Sequence, residues 1–283
     1  MNKPTVANDL DEHQQTILAK KVEDAKNVIR ETLAKFGSES LRTAWTGGKD
    51  STLVLWLVRE VCRESGRPLP KCFNIDEGDM FPEIVEFIEA VKAEWGVEII
   101  HIHNADVSTA AGGKLGAPVR VTALDERNRR EIERLGYEED EFTYEPESFV
   151  GNHLMKTVTM NRYLEDEKVA GLFIGVRWDE QAARANEQYF NLHDATAYNP
   201  EHMRIHPILH FLERDVWDAH FQYGIPLCKL YRLGYRSLGA RITTSRQQDV
   251  PAWEQDLEGT YERGGRRQDK EELMARLRQL GYM

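Results

Sequence analysis

The stretch LRTAWTGGKDSTLVLWLVREVC, residues 41–62, decides how the rest of the chain reads. Leu41 to Thr46 has the apolar, β-branched character of a short strand. Ser51 to Cys62 is a run of helical length whose only charges are Arg59 and Glu60, as a buried helix requires. Between them lies Thr46-Gly47-Gly48-Lys49-Asp50-Ser51. A helix that begins just after a strand turns its unpaired N–H groups and the positive end of its dipole toward the loop. That is a place for phosphate. Gly47 and Gly48 let the backbone come close and take unusual dihedrals. Lys49 adds a cation, and the hydroxyls of Thr46 and Ser51 can donate to oxygens. The stretch therefore predicts a pyrophosphate cradle. It is not a Walker A loop, which needs four residues between its glycines and Ser or Thr straight after Lys. Here Asp50 follows Lys49. The plainer alternative is a Gly-Gly turn with a solvated Lys-Asp pair; the strand before and the apolar helix after weigh against it.

Outward from this unit the chain alternates. KCFNI (71–75) reads as a strand, and the acidic turn DEGDMFPE follows it. A helix over 83–95 leads to the strand VEIIHI (97–102). A helix over 153–165, a strand over 169–175, a strand over 203–208 and a helix in ERDVWDAHFQYG continue the series. Upstream, residues 10–36 carry helical spacing as one or two helices, with Gly37 as a stop. Strand–helix alternation with apolar strands predicts an α/β fold built on a parallel sheet. Residues 104–150 are less regular and read as an insertion or mobile lid. From Tyr231 the chain is turn-rich and basic, with a final short helix over 269–280. The expected organisation is an α/β domain over 1–230 and a basic C-terminal extension over 231–283.

Composition narrows the function. The chain has 283 residues, 41% hydrophobic and 30% charged, with formal net charge −11. Such a chain reads as a globular protein. No run approaches the roughly 18 apolar residues of a membrane span, and the first residues lack a signal peptide's apolar stretch, so a cytoplasmic protein is expected. The acidity argues against non-specific nucleic-acid binding, which needs Lys and Arg to meet phosphates, while leaving a local basic patch open. Cys62, Cys72 and Cys228 are the three cysteines, and none lies within four positions of another. Neither zinc nor an iron–sulfur cluster is expected. Cys62 and Cys72 read as small buried hydrophobes. Cys228, in a loop-like segment, is a weaker candidate for the same.

TGGKDS resembles the SGGKDS signature of the PP-loop ATP pyrophosphatases. FNIDEGDMFPEIVEF, GVRWDEQAARANE and RIHPILHFLERDVWDAHFQYGIPLCKLY are similar, in order, to further segments of the branch that holds sulfate adenylyltransferase small subunits and phosphoadenosine-phosphosulfate reductases. The tail, TYERGGRRQD and KEELMARLRQLGYM, resembles the end of the adenylyltransferase small subunit. Three features depart from the pattern. Thr46 replaces the usual Ser, which keeps the hydroxyl. Tyr231 runs almost directly into GYRSLGA, which is closer to the reductases. No cysteine follows Cys228, so the reductases' C-terminal thiol motif is absent.

The resemblance implies an adenine nucleotide alpha-hydrolase-like, Rossmann-like fold with a helical N-terminal segment. It implies cleavage of ATP between its α and β phosphates, with Mg²⁺, and transfer of the adenylyl group to an oxyanion, sulfate first. The alternatives are a reductase using an external thiol, a sulfur-transfer or nucleic-acid thiolation enzyme that adenylates its substrate, and a non-catalytic nucleotide-binding subunit. A GTPase-like large subunit, or a homo-oligomer, is the implied partner. Thr46, Gly47, Gly48, Lys49, Asp50 and Ser51 would hold phosphates. Asp76, at a strand end, would lie near the adenosine or a Mg²⁺, or would cap the next helix; Glu77 and Asp79 could serve the metal as well. Gly175, Arg177, Asp179 and Arg184 follow the next strand. The two arginines are expected on one face of a helix, meeting the acceptor with their forked donors; a surface salt bridge is the alternative for Arg184, and a simple turn for Gly175. Arg236, Arg241 and Arg246 would bind the acceptor or fold over the nucleotide, or belong to a solvated loop. His206 reads as a core or edge histidine, Trp45 and Trp56 as core aromatics.

Overall fold

The computed structural model describes residues 10–265, except Glu147, Ala197 and Tyr198. The helix expected at 269–280 lies outside the described residues. A single helix, α1 (Glu12–Phe36), opens the chain. Asp11 caps it by accepting from the Gln14 N–H at 2.8 Å, and the Gln14 side chain returns the bond to the Asp11 N–H at 3.0 Å. Gly37, at φ 73°, ends it.

The alternation then follows: β1 (Leu41–Ala44), α2 (Lys49–Ser65), β2 (Lys71–Ile75), α3 (Pro82–Trp95) and β3 (Ile99–Ile102). Residues 104–150 fold into α4 (Ala105–Ala110), β4 (Pro118–Arg120), α5 (Glu126–Arg134), β5 (Glu141–Thr143) and the start of α6 (Phe149–Asn152). One π-helical stretch, His153–Val158, joins α6 to α7 (Thr159–Asp166). β6 (Gly171–Phe173), β7 (Phe190–His193), β8 (His202–Ile205) and α8 (Glu213–Gln222) follow, and the described residues after α8 form short 3₁₀ turns and loops.

Among the described residues the main sheet has the order β3-β2-β1-β6-β8-β7, parallel except for β7. The sheet is therefore mixed, not wholly parallel. The antiparallel β7 was missed in the sequence because FNLH is four residues long and pairs with residues 9 to 15 positions on. From β1 the chain first builds outward to β2 and β3, then returns to lay β6 on the other side of β1. The strand order reverses between β1 and β6, the place where open α/β sheets bind ligands at their carboxyl edge.

Two apolar layers flank this switch point. On one side, Ala25, Ile29 and Leu33 of α1 pack with Leu53, Leu57 and Val61 of α2 and Val216 of α8. On the same side, Trp45, Cys72, Ile84, Ile88 and Trp217 form a second cluster, while on the opposite face Phe73 of β2 and Leu172 of β6 pack with Tyr163 and Leu164 of α7. The segment expected as a lid carries a core of its own, with Val107, Val119, Ile132, Phe142 and Leu154 buried together. Its strands are three residues each, too short to show a period in sequence.

Candidate functional site

The loop sits where the switch point predicts. Gly47 has φ 76°, and a Cβ there would meet Ile84 Cγ2 at 2.8 Å, so only glycine fits. Gly48 caps α2 without a side chain, which leaves the helix's first N–H groups to other acceptors. The Ser51 hydroxyl lies 3.1 Å from that of Thr46 and donates to the Gly48 carbonyl at 3.0 Å. These bonds tie the loop's two ends together.

Gly175, just past β6, touches the same turn from the other side. A Cβ built on it would lie 2.9 Å from both the Asp50 carbonyl carbon and the Ser51 nitrogen. Backbone cannot yield as a side-chain tip can. Gly175→Ala is expected to cost about 1–3 kcal/mol through this overpacking, while Gly264→Ala, whose Cβ would meet nothing nearer than 3.5 Å, should not. Thermal melting of both variants checks this; equal melting temperatures would remove the close approach from the argument.

The loop opens into a cleft of about 310 Å³. Its floor is Thr46, Gly48, Lys49, Asp50 and Ser51. Asn74, Glu77 and Asp79 come from the β2 edge, and Gly175, Glu180 and Arg184 from the β6 edge. Residues 237–240 and Arg263 close the remaining wall. A larger groove of about 840 Å³ runs between α5 and Ala195, Thr196, Asn199 and Pro200. It shares no lining residue with the loop, and its arginines and glutamates pair with one another.

Lys49 departs from expectation. Its ammonium lies under the loop, 2% of the residue exposed, against Glu262 and 3.4 Å from the Arg236 carbonyl. The Trp217 ring lies 5.4 Å from it. Arg177 is fully buried beside it. Its Nε donates to Asp179 Oδ1 at 2.8 Å, one Nη to Asp50 and the other to Glu262. Asp50 Oδ2 completes a closed ring of alternating charge, 3.3 Å from Lys49 Nζ. Burial works to strip the Arg177 proton, but Glu262, Asp179 and Glu180 outweigh it and raise the pKa. Burial likewise works to protonate Glu262; Lys49 and Arg177 prevail and hold it well below the carboxylate range. Arg177 and Glu262 are thus held in their charged forms beneath the loop.

The segment holding Arg177 and Arg184 is not one helix. It forms two short 3₁₀ turns, Trp178–Glu180 and Ala182–Arg184, broken at the extended Gln181. The shared face expected from their spacing does not form. Arg177 points into the ring, while Arg184 lines the cleft and pairs with Glu180. Asp179 caps α8, accepting the Glu213 N–H at 2.7 Å, and does not line the cleft. Arg236 is buried with every bond spent on Glu213, Thr260 and the carbonyls of Asp256 and Leu257, so it pins the C-terminal segment instead of facing the nucleotide or solvent. Arg241 pairs with Asp79 at 3.4 Å, and the exposed Arg246 with Asp249.

Asp76 is exposed; its Oδ1 accepts the Gly78 N–H at 2.8 Å, so it stabilises the turn and is not a cap for α3. The carboxylates of that turn that line the cleft are Glu77, paired with Lys156 at 2.9 Å, and Asp79, which accepts the Ile242 N–H at 2.8 Å. Among the described residues no group of three or more His, Cys, Asp or Glu side chains is arranged to hold a metal ion. His206 is buried, bonded at 3.0 Å to the Gln188 carbonyl. Trp45 and Trp56 pack in the core clusters.

Sequence reasoning missed Lys156, Glu180, Tyr231, Glu262 and Arg263. Arg263 donates to Glu180 Oε1 at 2.9 Å, so Glu180 is held by two arginines. Glu262 and Arg263 stand inside the TYERGGRR segment, where the tail's resemblance was the available signal. Lys156 gave none, because the π-helical stretch that turns it toward the cleft is invisible to a 3.6-residue pattern. All three cysteines are buried, and none lines the cleft. Burial pushes Cys62 and Cys228 up to about 11 and Cys72 to about 12.

Comparison with known proteins agrees with this architecture. Residues 40–246 match the model of the phosphoadenosine phosphosulfate reductase domain. Sulfate adenylyltransferase subunit 2 of Brucella anthropi is 25% identical, over 77% of this chain and 67% of that protein. The chain spans about two thirds of the length of the curated relatives it matches. Among solved structures, FMN adenylyltransferase of Candida glabrata, in complex with FAD and inorganic pyrophosphate, superposes with TM-score 0.57 at 19% identity, covering 85% of this chain and 68% of that one. The phosphoadenylyl-sulfate reductase of Candida auris, a phosphate complex, gives 0.55 at 16%, covering 85% and 100%.

Proposed function

The chain belongs to the phosphoadenosine phosphosulfate reductase domain family, and from that premise we propose that it is an adenylyltransferase acting on ATP and an oxyanion, sulfate first. A sulfate oxygen attacks the α-phosphorus, the bond from that phosphorus to the bridging oxygen breaks, and pyrophosphate leaves with the electron pair. The loop carries the leaving diphosphate on Gly47, Gly48, Thr46 and Ser51. Arg184 and Arg263 carry the acceptor. Catalysis is then positioning and charge stabilisation, with no covalent protein intermediate.

One observation carries the choice within the family. The cleft presents paired arginines, and none of this chain's cysteines reaches it. Reduction of a sulfonyl group by this chain's own thiol needs an accessible, low-pKa cysteine; the three here are buried with raised pKa values. The relative's name, subunit 2, supports a second subunit in the active assembly. Magnesium enters this reading with the nucleotide. The carboxylates lining the cleft outnumber its cations, so a bare tetra-anion would meet repulsion, and Glu77, one of those carboxylates, would be a ligand for a phosphate-bound ion.

The test is pyrophosphate release from MgATP with and without sulfate, with adenylyl sulfate identified as product. The variant with all three cysteines replaced by Ser or Ala should release pyrophosphate at near the parent rate. A reduced or thiolated product, or release lost in the folded cysteine-free protein, would overturn the reading in favour of the thiol-dependent alternatives.

A further inference from the structure

The basic residues that line the cleft are already engaged: Lys49 with Glu262, Lys156 with Glu77, Arg184 and Arg263 with Glu180. Tyr231 differs. Its hydroxyl oxygen accepts the Lys49 N–H at 2.7 Å. Lys49 is the first residue of α2, and that N–H is one of the donors a helix start leaves without a partner. A phenol hydroxyl both accepts and donates. Having accepted here, it keeps its proton, and among the described residues no acceptor takes it.

The ring cannot turn away. It is 2% exposed and packs edge-to-face on Trp217, with centroids 5.1 Å apart at 82°. Tyr231 lines the cleft, and a Cβ built on Gly48 would lie 3.5 Å from its hydroxyl oxygen, so the hydroxyl stands over the loop's second glycine. Burial pushes the phenol up to about 12, which keeps the proton in place through the neutral range.

The geometry points to Tyr231 as a phosphate-binding residue: its hydroxyl carries the donor character of the α2 N-terminus one bond further, into the cleft, and donates to an oxygen of the diphosphate lying on the loop. The chain of bonds, Lys49 N–H to hydroxyl to phosphate, polarises in one direction, so each link strengthens the next. This assignment rests on the ATP reading above and adds a residue to it. It fits a diphosphate better than the adenosine, because the hydroxyl faces the glycine of the phosphate cradle.

The experiment compares the full chain with its Tyr231→Phe variant. Calorimetry measures binding of Mg²⁺-AMPCPP, which cannot be cleaved, of inorganic pyrophosphate and of AMP, and a melting curve accompanies each protein. The expected result is a loss of about tenfold or more for AMPCPP and pyrophosphate, the size of one hydrogen bond to a charged group, with AMP held within twofold. Equal weakening of all three ligands, or none, would assign Tyr231 to packing and overturn the proposal. If Tyr231→Phe does not fold, Tyr231 carrying 3-fluorotyrosine keeps the hydroxyl as a stronger donor, and pyrophosphate should then bind at least as tightly as to the parent; weaker binding overturns the proposal. Failure of the parent protein to bind either AMPCPP or pyrophosphate would instead sink the ATP reading itself, and this assignment with it.

Discussion

Arg177→Ala is expected to lower folding stability by about 3–5 kcal/mol, the usual cost of removing one partner from a buried ion pair. The guanidinium is fully buried and bonded to Asp50, Asp179 and Glu262. Without it the carboxylates of Asp50, Asp179 and Glu262 face one another, with Lys49 as the cation left in the ring. Arg177→Lys should recover only part of the loss, because an ammonium cannot reach three acceptors at the angles of a planar fork. Urea unfolding of both variants measures the effect. An unchanged midpoint with lost turnover would return Arg177 to the acceptor side of the cleft, where its sequence context first puts it.

Arg184→Ala and Arg263→Ala are expected to act on turnover instead. Both side chains line the cleft and share the Glu180 carboxylate, one oxygen each. That carboxylate sits between two guanidinium groups much as an oxyanion substrate would. Each single variant should keep ATP affinity within several-fold and lose on the order of 10²-fold in pyrophosphate release, the scale of one lost transition-state donor. The double variant should fall by less than the product of the two, because the residues act through one shared partner. Lys at position 184 should rescue poorly. Measuring ATP binding and sulfate-dependent release on the same proteins decides. ATP affinity that falls in step with turnover would make these nucleotide contacts, and unchanged turnover would leave them as braces for Glu180.

These two expectations differ because of contacts the sequence does not carry. Local signals were sufficient for the unit that defines the fold: an apolar strand, two glycines and an apolar helix, each legible within a few residues. Pro82 and Gly96 bound α3 in the same local way. Long-range pairing was not legible. Arg177 looks like a strand-end arginine, but its partners Asp50 and Glu262 stand 127 and 85 positions away. Lys49 reads as a phosphate ligand because the loop around it has that form; Glu262, 213 positions on, draws its ammonium beneath the loop. Arg236 looks like a loop arginine until Glu213 and Thr260 close around it. The positions that invite phosphate chemistry by type were legible, while the division of labour among them was set by burial.

The ring under the loop also fixes when the cradle can exist. A ribosome delivers Glu262 213 residues after Lys49, so the loop waits through that stretch of synthesis without the carboxylate that balances it. Closing a contact across 213 positions is among the slowest steps available to a chain of this length. The ring beneath the loop is therefore complete only once the span from Lys49 to Glu262 has been made and packed.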